Sequence, residues 1–202
     1  MRQVYKTICP RYNLAMFKFC PSCSSGKINF ADGKAFSCPD CGFLYFHNVA
    51  AANGCIISVP EENGERLMFL VRGKEPAKGK LDLPGGFVDA GEGVLEGLHR
   101  ELKEELGWAP QVSPGASLAA IYKLFASFPN VYPYKGISYN TCDMFFCLSA
   151  PGLSEKDLVL ERSENVSVCF LKPEEIDYDE VAFDSTRRAI KAYLLYRGLA
   201  YR

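Results

Sequence analysis

Gly86-Phe-Val-Asp-Ala-Gly-Glu92-Gly-Val-Leu-Glu-Gly-Leu-His-Arg100-Glu101-Leu-Lys-Glu104-Glu105-Leu-Gly-Trp108 is the stretch on which the reading of this chain turns. From Gly93 to Leu106 the spacing is helical. Leu95, Leu98, Leu102 and Leu106 recur every three or four residues and make one apolar stripe. Glu101, Glu104 and Glu105 stand at offsets of three and four, so they share the adjoining face. Gly97 precedes Glu101 by about one turn, which keeps bulk away from that face. Gly107 is expected to end the helix, at a position that favours a residue without Cβ. Like charges at this spacing destabilise an isolated helix, so three carboxylates beside a buried stripe imply a compensating cation. Hard oxygen donors suit Mg²⁺ or Mn²⁺ rather than zinc. The competing reading is a solvated acidic face braced by Glu96, Arg100 and Glu104 at four-residue steps. The residues in front of the helix favour the metal.

Working outward, residues 54–59 read as a buried strand and 66–71 as a second, joined by a turn at Glu61-Glu-Asn-Gly64. Residues 72–80 are charged and contain Pro76 and Gly79, an exposed loop. Later strands are expected at 116–125, 139–148 and 166–171, and an amphipathic helix at 184–197 with Ala189, Leu194 and Leu195 among its apolar positions. Strands before and after a central helix, with a second helix at the end, give an α/β or α+β class with a mixed sheet.

The N-terminal segment is of another kind. Cys20-Pro-Ser-Cys23 and Cys38-Pro-Asp-Cys41 are separated by fourteen residues. Between them Asp32-Gly33 signals a tight turn flanked by Ile28, Phe30 and Phe36 on short strands. Each C-x-x-C can close a knuckle on a metal, and four thiolates suit tetrahedral Zn²⁺. Cys20, Cys23, Cys38 and Cys41 are therefore expected to form a zinc ribbon. Cys9, Cys55, Cys142, Cys147 and Cys169 stand alone and read as small apolar fillers in or near strands of a protein kept reduced.

The 202 residues suit one domain with a small appendage, divided as 1–47, with the ribbon at 20–41, and 48–202. Lys plus Arg (23) nearly balances Asp plus Glu (24), which argues against binding to nucleic acid or membrane through bulk charge. There is no run of eighteen apolar residues to span a membrane and no apolar run near the N-terminus to serve as a secretory signal, so a cytoplasmic protein is expected.

Gly86, five residues, Glu92, seven residues and Arg100-Glu101-Leu-Lys-Glu104-Glu105-Leu-Gly107-Trp108 together resemble a complete Nudix box, with every fixed position filled. Leu83-Pro-Gly-Gly-Phe87 is similar to the strand and turn that lead into that box, and Ala182-Phe-Asp-Ser-Thr-Arg187 has the family's look before the last helix. The resemblance implies an α/β/α sandwich with a mixed sheet, and a pyrophosphohydrolase that splits nucleoside diphosphates linked to another group. It implies Mg²⁺ or Mn²⁺ held by Glu101, Glu104, Glu105 and the Gly86 carbonyl. Glu101 is then also the candidate for activating water, Arg100 orients the acids, and Glu92 ties the loop to the helix. A further acid outside the box is expected at Glu164, with Glu161 and Asp143 as rivals.

A four-cysteine ribbon directly before such a domain resembles the NADH pyrophosphatase branch, with Tyr45 and Phe46 and then the first strand following in the same order. Phe87 stands where that branch sets an aromatic against the base, and Phe46 and Tyr132 are further candidate substrate contacts; packing is the competing role for each. Tyr134 and Tyr139 are open to the same two readings. Two departures matter. The branch's Ser-Gln-Pro-Trp-Pro-Phe-Pro motif is absent, its region reading Ala126-Ser-Phe-Pro-Asn-Val-Tyr-Pro-Tyr134, and only nineteen residues precede Cys20 where full-length members carry a domain. The expected substrate is accordingly a nucleotide-like small molecule of the NAD(H) or ADP-ribose kind, with dinucleotides open. The alternative is a non-catalytic regulator whose ribbon binds nucleic acid. The intact set of acids opposes it, as does a ribbon with only Lys27 and Lys34 against Asp32 and Asp40. A structural ribbon, at a homodimer interface for instance, fits better.

Overall fold

The computed structural model describes residues 17–31 and 34–198. They divide into two compact units. One runs to Val49 and takes in Val131–Asn140; the other holds Ala50–Asn130 and the described residues from Thr141 onward.

In the first unit β1 (Asn29–Ala31), β2 (Ala35–Ser37) and β3 (Leu44–Phe46) form an antiparallel sheet with β2 in the centre. Its register aligns Phe30 with Phe36 and Phe36 with Tyr45. Phe36 is buried, with the Phe30 ring stacked on it at 4.2 Å and Phe17 edge-on at 4.9 Å. A core this small leaves room for a metal to supply what burial does not. The strand β3 was not foreseen from the sequence, where Tyr45 and Phe46 read only as an aromatic pair. The expected Asp32-Gly33 turn, Cys9 and the N-terminal fourteen residues lie outside the described residues.

The second unit is built on a mixed sheet. Its strands are β4 (Ala50–Glu61), β5 (Gly64–Arg72), β6 (Leu81–Asp82), β7 (Lys123–Tyr134), β8 (Ile137–Ser149) and β9 (Asn165–Leu171), of which residues 131–134 and 137–140 are counted with the first unit. The order is β6-β5-β4-β8-β7, and β9 also pairs with β5. β4 runs parallel to β8, from Ala50 opposite Thr141 to Ser58 opposite Ser149, and antiparallel to β5. Residues 53–59 of β4 are all buried, which is why they read as a continuous apolar run and not as an alternation.

The two helices, α1 (Val94–Leu106) and α2 (Asp184–Tyr196), cover the two faces. Leu98, Leu102 and Leu106 of α1 pack with Cys55, Ile57, Met68 and Leu70. Ala189, Ile190, Tyr193 and Leu194 of α2 pack with Ile56, Leu67 and Phe69. Alternate residues of one strand thus face opposite helices, and the α/β/α sandwich follows. Among the described residues no helix is long and apolar enough to cross a membrane.

One expected strand differs. Ser117 accepts a hydrogen bond from the Ala119 N–H and opens a 3₁₀ turn at Leu118–Ala120, so the strand expected from 116 begins only at Lys123. It then continues to Tyr134, through Pro129 and Pro133. Proline is tolerated there because β7 ends the strand order, where an edge needs no donor.

Candidate active site

The loop before α1 is fixed against β4 by backbone bonds. Cys55 N–H donates to Pro84 O at 2.9 Å, Asn53 N–H to Gly86 O at 2.8 Å, and Val88 N–H to Ala51 O at 3.1 Å. Asn53 also accepts from Gly86 N–H through Oδ1 at 3.3 Å, so it brackets that residue from both sides. Its own Nδ2 is buried without a partner. Gly85, at φ +140°, passes so close that a Cβ there would lie 2.4 Å from Asn53 O.

α1 then carries the acids across from this loop. Glu96 closes the helix start by accepting from Gly93 N–H at 2.6 Å, rather than bracing Arg100 as the spacing suggested. Gly107, in the left-handed region at φ 59°, ends it as expected. Gly97 serves the approach of Glu92, whose Oε1 would stand 2.7 Å from a Cβ there; the sequence had suggested only clearance for the acids.

Arg100 is the hub. Its Nη1 donates to Glu101 Oε1 and to Glu104 Oε2, each at 2.9 Å. Its Nη2 donates to Glu92 Oε1 at 2.6 Å and Phe87 O at 3.2 Å, and its Nε to Glu92 Oε2 at 3.2 Å. These bonds hold the Glu92 carboxyl below its usual range, with help from the Asp89 N–H. Burial raises Glu101 against the pull of Arg100, and the neighbouring Glu104 and Glu164 charges add to the rise.

Glu105 is on the same helix but in another environment. It is buried and accepts from Gly85 N–H at 2.9 Å and from Asn165 Nδ2 at 3.2 Å. Burial pushes its carboxyl up to about 8 despite those bonds, with Glu101 and Asp82 adding to the rise. The three glutamates are therefore not one equivalent face: Arg100 gathers Glu101 and Glu104, whereas Glu105 turns to the sheet.

Of the acids outside the helix, Glu164 is close enough to raise Glu101 and is itself ion-paired with Lys74. Glu161 accepts from Ser163 N–H at 2.9 Å, and its own N–H donates to Glu105 O at 3.0 Å. Asp143 is buried and accepts from Thr141 and Ser185 hydroxyls at 2.5 and 2.6 Å. Phe87 is part-exposed beside the Arg100 contact, while Phe46 and Tyr132 belong to the first unit, Tyr132 with its ring 6.3 Å from Tyr134. Asn53, Asn165 and Lys74 were missed in the sequence. Asn53, a polar residue opening a buried run, was the one with a signal to read.

The donor set fits a divalent cation. Arg100 serves Glu92, Glu101, Glu104 and, at 3.7 Å, Asp89, and Lys74 serves Glu164, while the buried Glu105 beside them pairs with neither cation. A Cβ on Gly86 would have Glu101 Oε1 2.5 Å away, so this carboxylate lies close against the loop backbone. All of these donors are hard oxygens.

In the first unit the sulfurs of Cys20, Cys23, Cys38 and Cys41 lie within 4.8 Å of one another. Cys20 Sγ is 3.6 Å from Cys41 Sγ, and Cys23 Sγ is 3.7 Å from Cys38 Sγ. Four sulfurs about 2.3 Å from one tetrahedral ion would be about 3.8 Å apart, so the cluster has the dimensions of a zinc site. Both knuckles use one pattern. Cys20 O accepts from Ser24 N–H and Cys20 N–H donates to Ser25 O; Cys38 O accepts from Gly42 N–H and Cys38 N–H donates to Phe43 O. Among the described residues no other group of three or more His, Cys, Asp or Glu converges so closely.

The chain is 40% identical over 79 residues to the ADP-ribose pyrophosphatase of Methanocaldococcus jannaschii, spanning 39% of this chain and 42% of that one. It is 32% identical over 90 residues to the NAD-capped RNA hydrolase NudC of Chromobacterium violaceum, spanning 45% of this chain and 32% of that one. The match thus spans less than half the length of either relative. A NUDIX hydrolase from Nitrosomonas europaea has the same fold, with a TM-score of 0.59 at 23% identity over 92% of this chain and 97% of that one. The NUDIX domain family model matches residues 50–193, most of the chain. The chain belongs to the NUDIX domain family.

Proposed function

We propose that this protein hydrolyses a pyrophosphate bond in a nucleoside diphosphate linked to another group, of the ADP-ribose or NAD(H) kind. The observation that carries this reading is the meeting of the Glu101 carboxylate with the Gly86 backbone, inside a cluster of acids short of cations. Glu101, Glu104, Glu105 and Glu164, with the Gly86 carbonyl, would hold Mg²⁺ or Mn²⁺. When bound, the cation would neutralise diphosphate charge and lower the pKa of a coordinated water. Arg100 fixes Glu101 through Oε1, which leaves Oε2 to take the proton of the attacking water. Glu92 anchors Arg100 to the loop, and Asn53 holds the loop to the sheet. Phe87, on that loop, is the aromatic proposed for the base. The names of the two curated relatives support the substrate class.

The cysteine cluster would hold a structural Zn²⁺. Residues 1–47 would then be the ribbon segment and 48–202 the hydrolase domain. The described cysteines outside the cluster, Cys55, Cys142, Cys147 and Cys169, are free thiols.

A panel of ADP-ribose, NADH and a diadenosine polyphosphate, assayed with Mg²⁺ and with Mn²⁺ and with products identified, tests the reaction. Turnover by the wild type, abolished by Glu101→Gln in a protein with unchanged circular dichroism, is the expected result. No turnover of any of them, or activity of E101Q within a few-fold of wild type, would remove the proposal.

A further inference from the structure

We propose that Lys74 is a substrate-phosphate contact held in reserve by Glu164: it neutralises that carboxylate in the metal-free protein and turns to the diphosphate once a divalent cation takes its place. This rests on the hydrolase reading above and adds a residue to the site. The observations come from three elements. Asn165 donates to Glu105 while Glu161 N–H donates to Glu105 O, so the segment entering β9 is tied to the last turn of α1. Gly73 N–H donates to Glu164 O at 2.7 Å, and the register places Arg72 opposite Asn165, which ties the same segment to the end of β5. A Cβ on residue 73 would stand 3.0 Å from Glu164 O, so the close approach favours a residue without one. These two ties deliver Glu164 to the acids of α1 and set Lys74 directly beside it.

The charge on each partner explains why the pair is exchangeable. The Glu164 charge reaches Glu101, and Lys74 is its ion-pair partner, so the carboxylate lies near both a like charge and a cation. Both members of the ion pair are partly exposed, Lys74 at 46% and Glu164 at 41% of the side chain. An exposed pair contributes little to stability and is readily parted. Lysine is a compact point charge on a flexible stem, suited to following a phosphate over a few ångströms. Arg100, locked by four groups, has no such freedom.

The test uses the full chain and two binding measurements that need no turnover. Mn²⁺ affinity is read by electron paramagnetic resonance without nucleotide, and ADP affinity by calorimetry with Mn²⁺ present. Lys74→Met should bind Mn²⁺ about two- to five-fold more tightly, because the competing cation is gone. The same variant should bind ADP about ten-fold or more weakly, because a charge-assisted contact is lost. Lys74→Arg should restore ADP affinity, and in a Glu164→Gln background Lys74→Met should leave Mn²⁺ affinity unchanged. In turnover the loss should fall mainly on KM. If either affinity stays within two-fold of wild type in Lys74→Met, or the wild type does not bind ADP, the proposal is overturned. A wild type that binds Mn²⁺ and ADP as described but turns over no linked nucleotide would instead count against the hydrolase reading alone.

Discussion

A Cβ built on Gly86 would stand 2.5 Å from Glu101 Oε1, whereas one built on the preceding Gly85 would stand 2.4 Å from Asn53 O. The distances are alike but the obstacles are not. Glu101 Oε1 is the end of a side chain and can move; Asn53 O is strand backbone and cannot. Gly86→Ala should therefore keep the fold, with a melting temperature within a few degrees of wild type, and lose about 100-fold in kcat as Glu101 is displaced by about an ångström. Gly85→Ala, at φ +140°, should instead cost on the order of 2–3 kcal/mol or more of stability. Chemical denaturation and steady-state kinetics on both variants check the contrast. Equal losses of stability would refute it.

How much of this was legible beforehand follows from where the interactions lie along the chain. The helix, its leucine stripe and the grouping of acids are set by offsets of three and four, so the sequence displays them directly. The four-cysteine cluster is likewise a matter of spacing. What stayed hidden was contact between distant segments. Glu104 and Glu105 are neighbours in sequence, yet one is exposed against Arg100 and the other buried against Gly85 and Asn165. That division depends on β9 returning beside the end of β5, and no local pattern encodes it. Strand β7 was misplaced for a related reason. Its prolines argue for a loop until the sheet order makes it an edge.

Arg100 binds Glu92, Glu101 and Glu104 together, and removing it would leave these carboxylates repelling one another in a half-buried site. Arg100→Met should destabilise the protein by about 2–3 kcal/mol without added divalent cation. Added Mg²⁺ or Mn²⁺ should recover part of this, since an ion can replace the lost charge. Thermal melts with and without the metal check it. A variant that melts as wild type does, with no response to metal, would mean that the acids need no cation.

The Glu105 carboxyl, raised by burial to about 8 from an ordinary value near 4.5, binds a proton in the folded state that the unfolded chain gives up earlier. Its contribution is full below about pH 4.5 and fades as pH rises through about 8. Without added divalent cation, stability should thus decline across that window by on the order of a few kcal/mol from this group. Glu105→Gln, which cannot ionise, should flatten the slope. Binding of Mg²⁺ near pH 7 should release a proton, seen as a dependence of the calorimetric heat on buffer ionisation. A slope that is the same in wild type and E105Q would show that burial does not hold the proton there.

In the cysteine cluster, Ser24 and Gly42 occupy matching positions of the two knuckles, and both have positive φ, 61° and 74°. Glycine adopts that region freely, and serine does so at a cost. Ser24→Gly should accordingly strengthen zinc retention in a chelator challenge, or leave it unchanged where entropy offsets strain, while Gly42→Ser should weaken it, each by about 1 kcal/mol or less. Metal analysis of the dialysed wild type should find about one zinc per chain, as four thiolates require. Cys38→Ser should lose it, because the replaced sulfur is a buried corner of the cluster. Cobalt substitution offers an independent reading, since tetrahedral thiolate coordination gives a visible absorption that octahedral oxygen coordination does not. A well-folded wild type without metal would refute the ribbon, because the three-stranded sheet would then have to stand on little more than the stacking around Phe36.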